Sequence, residues 1–333
     1  MIFATPETII QPKGGDYKPD ELDDRDLVLG ASIPKKFGAV NYGQVLVEDG
    51  DWTLFDTLWE SQKNQFGWDS FWCVIFSLNK VHQFIIKRKY GSTVNFSDRF
   101  GAIISNTTPG VGNGIKSVAE TKRKLGFLWE NECPFLPTMS EKEAYAPLTQ
   151  KEKDRAKERL KEYGFGYMWA AGTTNQNLLP ALRCSPLQAV VETPYVFNSK
   201  DEIINAGNDY SHAITIAKID QSEGFRAVRD SETQQWLKFA PDYSFVSVMA
   251  HFVEKKTMKL YKKNGLAAIY IKHWSQDSLF AFADGIIPGG DIFKTLYGIT
   301  EYSQLSWENV DELPFPVIGF VTTTPSSGAL ILI

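Results

Sequence analysis

The hydrophobic pattern of this chain changes its period once, near residue 185, and that change limits the folds the chain can adopt. Before this point, apolar residues recur at the spacing of buried helices. After it, short segments rich in Val, Ile and aromatic residues indicate strands. The predicted strands are Gln188 to Phe197, His212 to Ile219, Phe225 to Val228 and Phe245 to Val253. Helices that precede the strands, rather than alternating with them, predict an α+β fold.

The most apolar predicted helix runs from Cys73 to Tyr90. Asp69 or Ser70 is predicted to cap its start, and Gly91 is predicted to close its end. Three more helices are predicted, namely Ser97 to Ser105, Ile115 to Leu125, and a charged helix that opens with the capping box Thr149 and Glu152 and ends near Gly164.

A chain of 333 residues with 43% hydrophobic residues is large enough for more than one compact region. We divide it into an irregular N-terminal arm (residues 1–50), an α+β domain (51–255) and a small β-rich C-terminal module (256–333). The arm has no strong helical pattern, so we interpret it as a docking arm rather than a removable propeptide. In the module, Lys263-Asn264-Gly265 predicts a hairpin between two apolar strands.

Composition excludes several classes of function. The net charge is −5 and no strongly basic stretch occurs, which argues against nucleic acid as a partner. No run reaches the roughly 20 apolar residues of a membrane helix, and the first residues do not resemble a signal peptide, so we expect a soluble protein that is not exported by a classical route. Three cysteines exclude a four-cysteine zinc site and argue against a disulfide framework, and no metal or organic cofactor is predicted.

Three residues have positions that suit nucleophilic catalysis. Cys73 falls in the first turn of the buried helix, where unpaired backbone N–H groups favour a thiolate, although a free cysteine also packs well as a small hydrophobe. His212 follows a turn and opens a strand, which fixes a base yet allows it to face a cleft. Asp230 ends the next strand, and two adjacent antiparallel strands would bring it to His212, where a carboxylate can fix the imidazole tautomer.

The order Cys, His, Asp, with the cysteine on a helix and the others on strands, resembles the papain-like cysteine peptidases. The segments similar to the family's are Asn64-Gln65 (Asn-Gln), Cys73-Val74-Ile75-Phe76-Ser77 (Cys-Trp-Ala-Phe-Ser), Ser97-Asp98-Arg99 (Ser-Glu-Gln), Gly126 to Phe135 (the Gly, Glu and Tyr-Pro-Tyr segment), Pro186 to Val190 (Gly-Pro-Val-Ser-Val), Ser211 to Ile214 (Asn-His-Ala-Val) and Asp230-Ser231 (Asn-Ser). The similarity covers about residues 60–253.

This resemblance implies a two-lobed domain, with a helical lobe that carries the nucleophile helix followed by an antiparallel β lobe. It implies that Cys73 is the nucleophile, His212 its base and Asp230 the residue that orients the base. Gln65 would stabilise the oxyanion together with the Cys73 backbone N–H. The implied activity is hydrolysis of peptide bonds in a peptide or protein through a thioester intermediate, and Cys133 would be structural.

The chain also departs from the family pattern. Gln65 lies eight residues before Cys73, whereas the usual gap is six. An alternative register aligns Phe71 with the nucleophile, which would make the enzyme inactive. Asp230 stands where the family has Asn, and the Trp beside that Asn is missing at its usual spacing, with Trp236 as a substitute.

Two alternatives to an active peptidase therefore remain. The first is a catalytically inactive structural or binding protein on a papain fold, such as a phage virion component. The segment Asn95 to Phe100 resembles divergent papain-like proteins of tailed phages, which implies virion or assembly subunits as partners and a location in the host cytoplasm or the virion. The second is a cell-wall amidase of another Cys-His class, which would use a second histidine as orienter, with His251 as the candidate.

Overall fold

The computed structural model describes residues 3–7, 20, 28–29, 44–58, 60–170, 172–205, 210–233 and 235–256, and five strands between residues 258 and 332. The chain divides into two compact units. The first consists of Met1–Lys35, Val40–Leu160 and Phe165–Val253, and the second of Lys36–Ala39, Lys161–Gly164 and Glu254–Ile333. No helix in the described ranges is both long and apolar enough to cross a membrane.

The helices of the described residues come before or between the first strands. They are α1 (Cys73–Tyr90), α2 (Asp98–Ile104), α3 (Ile115–Leu125), α4 (Glu141–Ala144), α5 (Gln150–Arg159) and α6 (Asn175–Cys184). The strands of the larger sheet are β1 (Val28–Leu29), β2 (Tyr163–Ala170), β3 (Leu187–Thr193), β4 (Val196–Phe197), β5 (Ile203–Ile204), β6 (Tyr210–Ile219), β7 (Arg226–Arg229), β8 (Trp236–Phe239) and β9 (Ser247–Lys255).

These strands form one nine-stranded sheet in the order β1-β2-β9-β3-β6-β7-β8-β5-β4. Its central pairs, β9 with β3, β3 with β6, β6 with β7 and β7 with β8, are all antiparallel. Helices that largely precede an antiparallel sheet confirm the predicted α+β class.

Helix α1 lies in the core, in contact with strands β3 and β6 and with helices α2 and α3. Its residues are buried on nearly every side, which explains why its sequence has no continuous polar face. A buried polar residue of β3 fixes its first turns, because Gln188 Nε2 donates to the carbonyl oxygen of Val74 (2.8 Å) and to the hydroxyl of Ser77 (2.9 Å).

Helices α1, α2 and α3 have nearly the bounds that the sequence predicts. Gly91 closes α1 in the left-handed conformation, with φ 68°, where a side chain would be strained. The cap predicted at the start of α1 is wrong. Trp72 occupies the cap position without a side-chain bond, and Asp69 Oδ1 instead accepts from the Phe71 N–H (2.8 Å). The buried Ser70 hydroxyl has no hydrogen-bond partner among the described residues.

Other features of the fold also differ from the sequence prediction. Helix α5 ends at Arg159 rather than near Gly164, because Tyr163 already begins β2. The strand predicted from Gln188 to Phe197 is two strands, since Pro194 cannot donate to a ladder and β3 ends at the preceding residue. Strand β2 and helix α6 were not predicted.

In the second unit, strands β10 (Met258–Lys263), β11 (Leu266–Lys272), β12 (Asp277–Ala283), β13 (Leu305–Asn309) and β14 (Ile331–Leu332) form a sheet in the order β13-β10-β11-β12-β14. Strands β10 and β11 are antiparallel with Lys263 opposite Leu266, the register of the predicted hairpin, whose two loop residues lie outside the described residues.

Most of the predicted N-terminal arm also lies outside the described residues. Where it is described, the arm is part of the first unit. The Asp20 carboxylate accepts from the backbone N–H groups of Lys116 and Ser117 (both 3.1 Å), in the first turn of α3. Strand β1 pairs in parallel with β2.

Candidate active site

Cys73 is the first residue of α1 and is 1% exposed. Two residues earlier, Phe71 has φ 57°, in the left-handed region, which turns the chain into the helix. A bulky residue in that conformation costs about 1–2 kcal/mol, so the surrounding structure holds this turn in place. The N–H groups of the first turn carry partial positive charge and favour a thiolate at this position.

His212 lies on β6, a strand that packs against α1. Its Nε2 lies 2.8 Å from Asp230 Oδ1, and the Cys73 thiol lies close enough to its ring to influence its pKa. Burial by itself would lower the pKa of His212. The Asp230 carboxylate and the contact with Cys73 oppose this effect and raise that pKa well above its ordinary value. The imidazolium is therefore stabilised beside the thiol.

Asp230 directly follows β7, the antiparallel neighbour of β6, as the sequence predicts. Besides His212, its Oδ1 accepts from the Glu232 backbone N–H (2.8 Å), and its Oδ2 lies 3.2 Å from the Tyr195 hydroxyl. Burial raises the pKa of Asp230, but the charge on His212 and these hydrogen bonds outweigh burial and lower it. Asp230 is thus an ionised acceptor that can hold the His212 ring in one orientation.

The structure brings Cys73, His212 and Asp230 together, and Gln65 is the fourth residue that the resemblance implies. The Gln65 side chain is exposed, and its backbone N–H donates to the carbonyl oxygen of Pro137 (3.1 Å). Among the described hydrogen bonds, none joins the Gln65 side chain to the other three residues.

A different glutamine, which the sequence analysis missed, lies next to the triad. Gln62 is 2% exposed, and its Oε1 accepts from the hydroxyl of Ser231 (2.8 Å), the residue after Asp230. Its Nε2 donates to Asp69 Oδ1 (3.1 Å), and its carbonyl oxygen accepts from the Ser70 N–H (3.3 Å). Gln62 therefore connects the turn after Asp230 to the segment that leads into Cys73. Its partner Ser231 is 169 residues away, so no local pattern could reveal it.

The geometry also bears on the sequence alternatives. The side chain that lies beside His212 is that of Cys73, which favours the register that makes Cys73 the nucleophile. His251 Nε2 is bonded to Gln188 Oε1 (3.0 Å), so the ring partner of His212 is Asp230 and not a second histidine. Trp236 stacks near Arg229, and no described contact joins it to His212.

The other two cysteines are unsuited to nucleophilic attack. Both are free and buried, and burial raises the pKa of the Cys133 and Cys184 thiols. Cys133 accepts a hydrogen bond from Arg99 Nη1 (3.1 Å).

No protein-family model matches the chain, and no curated protein matches it. Several solved structures are similar to it. Digestive procathepsin L 3 of Tenebrio molitor larval midgut is 12% identical with a TM-score of 0.42, over 68% of this chain and 75% of that one. The bromelain protease of Ananas comosus, solved with the E64 inhibitor, is 16% identical with a TM-score of 0.42, over 60% and 96%. The cysteine protease and lectin-like domains of Cwp84, a surface layer associated protein of Clostridium difficile, are 12% identical with a TM-score of 0.47, over 65% and 54%.

Proposed function

We propose that this chain is a papain-like cysteine peptidase that hydrolyses peptide bonds through Cys73, His212 and Asp230. One observation carries the proposal: the imidazole of His212 is bonded to Asp230, at 2.8 Å, and lies beside a cysteine at the start of a buried helix. A nucleophile, its base and an orienting carboxylate in this order are the components of acyl transfer.

In this mechanism, His212 Nδ1 takes the proton of the Cys73 thiol, and the thiolate attacks the carbonyl carbon of the scissile amide. The Cys73 backbone N–H donates to the developing oxyanion. His212 then gives its proton to the leaving amine, which leaves a thioester on Cys73. Water, deprotonated by His212, hydrolyses the thioester and restores the thiol. Asp230 keeps the ring in position throughout.

A second oxyanion donor is needed, and two glutamines are candidates. Gln65 is the residue that the sequence resemblance implies. Gln62 is supported by its location, because it is buried beside Ser231 and Ser70, between the orienting turn and the nucleophile helix. Its amide has two N–H groups, and one described bond, to Asp69, uses one of them.

A peptidyl epoxide or vinyl-sulfone probe at pH 6–7 tests the proposal. We expect wild type to be labelled once per chain, Cys73→Ala not to be labelled, and His212→Ala to be labelled at least 100-fold more slowly. Cys184→Ala is the matched control and should be labelled like wild type, because that thiol is buried and burial raises its pKa. Equal labelling of Cys73→Ala and wild type would contradict the proposal.

One observation favours the inactive structural or binding protein as the second candidate. Cys73 and His212 are each only 1% exposed. A substrate could reach them only if the residues that cover them moved. On this alternative, the hydrogen-bonded triad is retained as a packed polar core, and the partners are assembly subunits. If neither probe labels the folded wild-type protein at pH 6–7, the result would support the alternative.

A further inference from the structure

A second carboxylate lies beside the His212–Asp230 pair. The Glu232 side chain is 1% exposed, and its backbone N–H donates to the same Asp230 oxygen that contacts His212. Its Oε1 lies 2.6 Å from the Nζ of Lys63, whose side chain is 18% exposed. The ion pair therefore joins the turn after β7 to the segment that leads into α1.

Lys63 belongs to a small hairpin in which it is paired with Asp69, four residues before Cys73. On the other side of the ion pair, Glu232 is two residues from Asp230. The pair thus has one member on each of the two segments that carry the reacting and orienting groups.

Several charged groups face this ion pair. Glu232 faces His212, Lys63, Asp69 and Asp230, and burial raises its pKa while His212 and Lys63 oppose the rise. His212 itself faces Asp230 and Cys73. The hydroxyl of Tyr195 adds a neutral donor to Asp230.

We infer that Lys63 and Glu232 are a charge-compensated pair that sets the proton affinity of the Cys73–His212 couple. A buried negative charge close to the couple raises the proton affinity of both groups, and a positive charge lowers it. Held together at 2.6 Å, the two charges largely cancel at the couple. Both are positioning residues, since they act through His212 and touch no reacting atom.

An ion pair that only held the two segments together, as a mechanical clamp, would not change these proton affinities in opposite directions. Removing Glu232 leaves the positive charge of Lys63 uncompensated, so both protons of the couple are lost at lower pH. Removing Lys63 leaves a buried carboxylate uncompensated, so both are lost at higher pH. We expect each change to amount to about one pH unit, as a single nearby charge produces. Neutralising both residues at once restores the original balance.

The test uses Glu232→Gln, Lys63→Met and the double variant, with Lys151→Met, an exposed lysine of helix α5, as charge control. Two readouts are followed from pH 4 to 10: the rate of Cys73 alkylation by iodoacetamide, and the NMR titration of the His212 imidazole. The chain has four histidines, and the His212 signal is the one that disappears in His212→Ala. We expect the midpoints of the alkylation profile and of the His212 titration to lie at lower pH in Glu232→Gln and at higher pH in Lys63→Met. In the double variant we expect both midpoints to return to their wild-type pH.

The alkylation readout rests on the proposed function, whereas the NMR titration does not. If the His212 titration shifts as expected in the variants but Cys73 of the wild type is not alkylated, the result contradicts the peptidase proposal and supports this inference. Single variants that shift in the same direction, or a double variant that shifts as far as either single one, would overturn the inference and leave the pair a mechanical clamp.

Discussion

At the scale of single residues, Gln62 and Gln65 lie three positions apart with opposite exposures. If Gln62 supplies the second oxyanion donor, Gln62→Ala should lower kcat by about 100- to 1,000-fold, as the loss of one such donor does elsewhere. Gln65→Ala should then stay within about twofold of wild type. Hydrolysis of a fluorogenic peptide, with thermal unfolding to check that Gln62→Ala is folded, measures both. The reverse ranking would return the role to Gln65.

The second prediction at this scale concerns Phe71. Its φ of 57° lies in the left-handed region, and side chains differ in how much this conformation costs them. Asn and Val are similar in size, but Asn visits the left-handed region readily and a β-branched residue does not. We expect Phe71→Val to be less stable than Phe71→Asn by about 1–2 kcal/mol, despite its greater hydrophobicity. Urea unfolding of the two variants measures the difference, and equal stabilities would show that this turn relaxes.

At the scale of elements, Gln188 holds helix α1 to the sheet. Its amide donates to the carbonyl of Val74, and its Oε1 is bonded to His251 on β9, so one side chain joins α1, β3 and β9. Gln188→Leu leaves the buried ring nitrogen of His251 without this partner, and we expect it to lower the free energy of unfolding by about 2–3 kcal/mol.

The matched control for this prediction is a double-mutant cycle. His251→Leu removes the other partner, and the double variant Gln188→Leu/His251→Leu leaves no polar group unpaired at this contact. We expect the double variant to be less destabilised than the sum of the single variants by about 1–2 kcal/mol in urea unfolding. Strict additivity would show that the two side chains do not interact.

Elements with local determinants could be predicted from the sequence. Helix α1 has an apolar period and a closing Gly91, and Asp230 was predicted beside His212 from the order of two neighbouring strands. The predicted cap of α1 was wrong because Phe71, two residues before the helix, adopts the left-handed conformation, which local propensity disfavours for this residue type. Gln62 was missed because tertiary contacts alone distinguish it from Gln65.

At the scale of the whole molecule, the interior of the first unit holds ionisable groups whose effects on stability oppose one another. Burial lowers the pKa of His251 to about 3 and lowers that of His82 well below its ordinary value, with the Lys122 charge adding to both shifts. Burial has the opposite effect on carboxyls: it raises the pKa of Glu130 to about 7 and that of Asp98 well above its usual range. Acidification therefore destabilises through His82 and His251 and stabilises through Glu130 and Asp98.

A single substitution can separate these contributions. His82 packs 4.8 Å from the Phe165 ring and 5.3 Å from the His251 ring, and neither of its nitrogens has a hydrogen-bond partner among the described residues. The folded protein therefore keeps His82 neutral, whereas the unfolded chain binds a proton there below about pH 6.5. The stability that His82 contributes as a neutral residue is complete above that pH, and it is lost as the pH falls toward its folded pKa.

The substitution His82→Leu abolishes this proton uptake and removes two unpaired polar atoms from a buried helix position. We expect the variant to be at least as stable as wild type at pH 7.5 and to gain on it as the pH falls, by up to about 1.4 kcal/mol for each pH unit below 6.5. Urea unfolding of both proteins at pH 7.5, 6.0 and 5.0 measures the difference, in which the carboxyl contributions cancel. A difference that does not change with pH would mean that His82 takes up a proton as readily in the folded protein as in the unfolded chain, with its charge stabilised by the aromatic rings around it.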